Sequence, residues 1–177
     1  MKSALLVIDV QKGLFDPPPF DAGLVLSRIN DLAIRARHEG SPVIYIQHET
    51  APGGGLDLGS PGWELDARLQ VEPGDHRIRK TTPDSFLKTR LEELLKKFQV
   101  THLVVSGYAT EFCVDTTTRR AAGLGYHVTV AADAHTTHDK PHADGKTIQA
   151  HHNATLPAMK SFGVPINALA SEDIAFA

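Results

Sequence analysis

The chain has 177 residues, 41% of them apolar and 22% charged, with a formal net charge of -3. That length suits one domain, residues 1–177, able to bury a sizeable core. The small negative charge, with no basic tract, speaks against a nucleic-acid partner. A single cysteine rules out an intramolecular disulfide, so a reducing, cytoplasmic setting is expected. No leader pattern opens the chain, and no apolar stretch approaches the roughly 18–20 residues that span a bilayer, so no membrane partner is expected.

In chain order, residues 4–10 form the first buried, β-branched run, and Asp9 closes it. Pro17, Pro18 and Pro19 follow as a stiff stretch. Helical spacing over 22–38 ends before Gly40, placed as a C′ glycine. A second strand is expected over 43–47. Residues 49–73 then form a long irregular segment with Gly53, Gly54, Gly55 and Trp63, of the length usually found in functional loops. His76 to Lys80 is a basic, alternating run. Phe86, Leu87, Leu91, Leu94, Leu95 and Phe98 recur at helical steps and predict a helix over 85–98. Strands follow at 103–106, 127–131 and 166–169, separated by helices over 113–124 and about 143–162, with Gly125 and Gly163 after them. Strands alternating with helices predict a three-layer α/β/α sandwich around a parallel, roughly six-stranded sheet.

Three residues stand near the ends of separate strands: Asp9, Lys80 and Cys113. The carboxyl edge of a parallel sheet is where open α/β folds place their sites. An acid after five apolar residues is costly to bury without a partner. A lone thiol at a strand-to-helix turn has free backbone N–H groups and a helix N-terminus beside it. Both favour a thiolate, as does a nearby lysine, so a depressed thiol pKa is expected. Each residue alone has a plainer reading: Cys113 as a small buried hydrophobe, Asp9 as a turn cap, Lys80 as a solvated cation.

The blocks Leu6-Val-Ile-Asp9-Val-Gln11, Lys80-Thr-Thr-Pro-Asp-Ser-Phe86 and Gly107-Tyr-Ala-Thr-Glu-Phe-Cys113-Val, with Ala132-Asp-Ala134 beyond, run nearly end to end. In them the chain resembles the isochorismatase-like cysteine hydrolase superfamily, which includes nicotinamidases and carbamoylsarcosine amidohydrolases. The resemblance implies that Asp9, Lys80 and Cys113 match the catalytic triad. It also implies an oxyanion hole from the backbone N–H groups of Ala109 and Cys113, and a cis peptide between Tyr108 and Ala109. The implied activity is hydrolysis of a C–N amide bond in a small non-peptide substrate through a thioester, without a cofactor, by a dimer or tetramer. Two other readings stay open: a vinyl ether hydrolase of the isochorismatase type, which needs no thiol, and a ligand-binding member of the fold without turnover.

Nicotinamidases carry an Asp-x-His pair after the second strand, where this chain has Gln47-His48-Glu49-Thr50. His48, Asp57 and His76 have no recognised ligand spacing, so no metal is expected. Candidates for the substrate pocket are Gln11, Phe15, His48, Trp63, Phe86, Tyr108 and Phe112, since apolar and aromatic walls dominate small-molecule sites. His135, His138 and His142 read as one solvated polar loop. Asp133 and Thr116 read as structural.

Overall fold

The computed structural model describes residues 1–177. Six parallel strands form one sheet in the order β3-β2-β1-β4-β5-β6. They are β1 (Ser3–Ile8), β2 (Val43–His48), β3 (His76–Lys80), β4 (His102–Tyr108), β5 (His127–Thr136) and β6 (Ile166–Leu169). Four helices connect them: α1 (Ala22–His38), α2 (Leu91–Lys97), α3 (Asp115–Gly123) and α4 (Gly145–Ala158). No helix is long and apolar enough to cross a membrane.

Strand period decides the layers. Leu5, Val7 and Tyr45 face α1, whose Val25, Leu26, Ile29, Leu32, Ala33 and Ala36 fall on one stripe. Leu6, Ile8, Ile44, Ile46 and Ile78 point to the other face, against Leu91 and Leu95 of α2, Ala121 and Ala122 of α3, and Leu156 of α4. Both faces of the central strands are buried, so β1 reads as a continuous apolar run and not as an alternation.

The chain leaves β1 toward β2 and β3 on one side, and β4 to β6 lie on the other. The strand order therefore reverses between β1 and β4, which opens a crevice at their carboxyl ends. At that point the two backbones come unusually close. Gly107 pairs with Ile8 at φ 111, and a Cβ there would overlap the Ile8 carbonyl oxygen.

Two expected elements differ most in extent. The helix expected from Ser85 begins only at Leu91, because the backbone before it is held by side chains. Ser85 N–H donates to Thr117 Oγ1 (3.2 Å), Phe86 N–H to Asp84 Oδ1 (2.8 Å), and the Thr89 hydroxyl to Ser85 O (2.7 Å). Such bonds compete with the helical ladder. β5 runs to Thr136, five residues past the expected end, through an irregularity in its pairing with β4 between Val105 and Gly107.

Candidate active site

Asp9 follows β1 directly and adopts φ 50, a left-handed conformation that aspartate tolerates better than most residues. Its N–H donates to Ile46 O at 2.8 Å, which seats it between β1 and β2. Lys80 is the last residue of β3 and pairs in register with His48, the last residue of β2. Cys113 lies in a π turn, Thr110–Val114, that joins β4 to α3. Turns of this kind are frequent at functional sites. Three different strands thus deliver an acid, a cation and a thiol to one end of the sheet.

The Lys80 ammonium is their centre. Its Nζ lies 2.6 Å from Asp9 Oδ2, 3.3 Å from Cys113 Sγ and 3.2 Å from His48 Nδ1. Asp9 and Lys80 are 1% and 2% exposed, so this ion pair is shielded from water and salt. Asp9 Oδ1 is buried with no hydrogen-bond partner. Burial first, then the Asp9 carboxylate, push the Cys113 thiol up to about 12, and Lys80 only partly opposes them. The low thiol pKa expected from the sequence is therefore reversed. α3 starts two residues beyond Cys113, whereas Asp9 sits against the thiol. Burial and Asp9 thus favour the protonated form of the thiol.

Asp9, His48 and Cys113 are also the one cluster with metal-ligating atoms mutually within 4.8 Å; Asp57 and His76 take no part in it. Lys80 Nζ touches all three residues, so an ammonium already balances the charge there.

The Tyr108–Ala109 peptide is cis. The Ala109 carbonyl accepts from the N–H groups of Phe112 and Val114, both at 3.1 Å, while the Ala109 N–H donates to no protein acceptor. The turn is braced from behind by a relay that the sequence reading missed. Asn153 Nδ2 donates to Ala132 O (2.8 Å), so its Oδ1 accepts from His135 Nε2–H (2.9 Å). That leaves His135 Nδ1 to accept from the Thr110 hydroxyl (2.8 Å). His135 is 0% exposed and belongs to β5, not to a solvated loop. Burial holds its pKa down to about 4. The only sequence hint was the small-residue run Ala131-Ala132-Asp133-Ala134 that lets β5 continue to it. Asp133 is structural, accepting from Ser171 N–H at 2.8 Å and pairing with Arg28 at 3.1 Å.

The pocket candidates take different places. Gln11 is a buried strut and not a wall. Its Nε2 donates to His48 O and Trp63 O, both at 2.9 Å, and its Oε1 accepts from His48 N–H at 2.7 Å. With both amide N–H bonds used and the side chain wholly buried, Gln11 offers a ligand no donor. Phe15 and Phe86 are core residues, packed on Tyr108 and Tyr126 with ring centroids 6.0 Å apart in each case. Trp63 lines a cavity of about 410 Å³ at the β3 edge with Gln47, Arg77 and Arg79, and that cavity includes none of Asp9, Lys80 and Cys113. His48 stays half-buried beside the triad. Tyr108 donates its hydroxyl to His138 Nδ1 (2.8 Å), whose Nε2–H reaches Pro17 O (2.9 Å) and so fixes the proline stretch. Phe112, 52% exposed, lies under the Lys140 ammonium at 5.5 Å.

A family model described as an isochorismatase domain matches residues 3–168. The chain belongs to the isochorismatase family. Among family members, an isochorismatase family protein of known crystal structure superposes with a TM-score of 0.85 at 36% identity, covering 95% of this chain and 98% of that one. A streptothricin hydrolase of Streptomyces noursei is 41% identical over 142 residues, covering 79% of this chain and 51% of that protein. The ureidoacrylate amidohydrolase RutB of Caulobacter vibrioides is 31% identical over 172 residues, covering 75% of this chain and 76% of its own length. The chain thus spans only about half the length of the streptothricin hydrolase. The family and the three-layer fold agree with the sequence reading.

Proposed function

We propose that this isochorismatase-family chain is a cysteine-dependent hydrolase that cleaves a C–N amide bond of a small, non-peptide substrate. The observation that carries the reading is the buried, unpartnered Asp9 Oδ1 beside the Cys113 thiol, with Lys80 holding the other carboxylate oxygen. A carboxylate so placed accepts the thiol proton as the sulfur attacks, and no free thiolate has to accumulate.

In this mechanism Cys113 Sγ bonds to the amide carbonyl carbon while its proton passes to Asp9. The carbonyl oxygen, now an oxyanion, takes the unpaired N–H of Ala109 and that of Cys113. Losing one such donor typically costs on the order of 3 kcal/mol in the transition state. Collapse breaks the C–N bond, and the Asp9 proton goes to the departing nitrogen, giving an amine and a thioester on Cys113. Water gives a proton to Asp9 and attacks the thioester, and that proton returns to sulfur as the acid departs. Throughout, Lys80 holds Asp9 Oδ2 and leaves Oδ1 to move the proton. Two relatives, a streptothricin hydrolase and a ureidoacrylate amidohydrolase, support the same chemistry.

The test is turnover of a panel of small amides, ureides and lactams, read as ammonia release or mass change, with acyl-Cys113 sought by intact mass. Hydrolysis that falls at least about 10³-fold in Cys113→Ala is the expected result. Vinyl ether hydrolysis of isochorismate that survives Cys113→Ala, with every amide inert, would assign the chemistry to Asp9 alone.

A further inference from the structure

An ammonium carries three N–H bonds and no lone pair. Lys80 Nζ has three neighbours within 3.3 Å: Asp9 Oδ2, Cys113 Sγ and His48 Nδ1. The first two belong to the proposed chemistry, and the third has no assigned part in it. For the contact with His48 to be a bond, Nδ1 must offer its lone pair, so the imidazole is neutral with its proton on Nε2. Burial and then the Lys80 charge disfavour a second proton on the ring, against a smaller opposing effect of Asp9.

His48 is also held in place from behind. Gln11 bonds both its backbone N–H and its carbonyl, and β2–β3 pairing sets it opposite Lys80. The ring therefore approaches the ammonium from a fixed backbone. Its Nε2 makes no hydrogen bond within the protein and is not among the buried unpartnered atoms, so it reaches solvent.

We propose that His48 is a positioning residue: as third acceptor on the Lys80 ammonium, it fixes the rotation of that group so that the remaining two N–H bonds reach Asp9 and Cys113. A lysine held by Asp9 alone would keep its ion pair while Nζ swung about that one bond on its flexible stem, carrying the other two N–H bonds off their partners. His48 removes that freedom. The charged and titratable groups that face it are Lys80 from β3, Asp9 from the end of β1 and Cys113 from the π turn. Protonation of Nδ1 would set two donors against each other and release the ammonium from this arrangement. The consequence for turnover rests on the amide-hydrolase reading; the arrangement itself does not.

The test uses the intact protein and needs no substrate. Long-range ¹H–¹⁵N correlation spectra, with His48 assigned by its loss in His48→Asn, report which ring nitrogen carries the proton. A single Nε2–H tautomer in the wild type, giving way to a tautomer mixture in Lys80→Met, is the expected result. An Nδ1–H tautomer or a mixture in the wild type would overturn the proposal, even if the protein proves to be an active amidase. A second readout covers the case in which Lys80→Met does not fold. Iodoacetamide alkylation of Cys113 at fixed pH should slow about tenfold in His48→Ala, the effect of loosening one charge-assisted bond. His48→Asn, whose side-chain oxygen replaces the acceptor without titrating, should recover most of that rate. Equal rates in wild type and His48→Ala, or no recovery in His48→Asn, would likewise overturn it.

Discussion

Cys113 shows how one side chain's environment decides between opposing effects. Lysine proximity alone argues for a thiolate, yet burial and Asp9 outweigh it and push the thiol up to about 12. The pH profile of iodoacetamide alkylation should therefore rise only well above about pH 8.5, the ordinary thiol value. Asp9→Asn removes a negative neighbour and should move the profile down; Lys80→Met removes the positive one and should move it up. A wild-type profile already flat at neutral pH would contradict this ordering. His135 carries a different prediction, about stability. Its pKa is about 4 in the folded protein, against about 6.5 when exposed. Because the folded value is the lower one, the neutral ring stabilises the fold, fully so above about pH 6.5. That contribution is lost as pH falls from 6.5 to 4, by about 3 kcal/mol in total. Urea unfolding across this range should show the slope, and His135→Gln, which cannot titrate, should flatten that part of it. Neither effect was legible in the sequence. The three residue types were visible there, but the sign of a pKa shift depends on burial and distance, which no spacing reveals.

At the scale of elements, periodicity carried most of the information. α1 was legible to the residue, from an apolar stripe that stops short of Gly40, and five of the six strands announced themselves as short β-branched runs, β3 instead as a basic, alternating one. The failures occurred where side chains claim the backbone. Residues 85–90 have a helical pattern, but Ser85, Asp84, Thr89 and Thr117 satisfy their N–H and C=O groups locally, and that competition is set by a tertiary partner in α3. Gly107 is the opposite case, a single residue on which the pairing of two strands depends. It sits at φ 111 where β4 crosses Ile8 at the reversal of strand order, immediately before Tyr108 and the π turn. Gly107→Ala would add both an overlap with the Ile8 backbone and a disfavoured left-handed conformation. Each typically costs on the order of 1–3 kcal/mol, so a loss of at least about 2 kcal/mol in the urea midpoint analysis is expected. Because β1 and β4 would be pushed apart between Asp9 and Cys113, amide hydrolysis should fall even in whatever fraction remains folded. Unchanged stability with unchanged activity would show that the two strands can separate freely there.

For the whole molecule, the sequence indicated a parallel α/β sheet but not its strand order, since that depends on which edge each crossover takes. The order matters because it makes the site: only with β1 beside both β2 and β4 do Asp9, Lys80 and Cys113 meet. The same arrangement bears on how the protein unfolds. Consecutive residues of β1, Leu5 and Leu6, belong to the cores on opposite faces of the sheet, so neither face can be lost without exposing the other. The long 49–73 segment is tied into this unit through Trp63, whose carbonyl accepts from both Gln11 and Gln47 (2.9 and 3.0 Å), and through Asp66, whose N–H donates to Val10 O (3.0 Å). We therefore propose that residues 1–177 unfold as one domain. Trp63 is the only tryptophan, so its fluorescence reports the long segment, while far-UV circular dichroism reports the sheet and helices. The two probes should give one midpoint and one slope in urea, as two-state domains do. A fluorescence transition at lower urea would mean that the segment detaches first. In that case Gln11→Leu, which breaks the strut to Trp63 and His48, should lower the fluorescence midpoint further and leave the dichroism midpoint less affected.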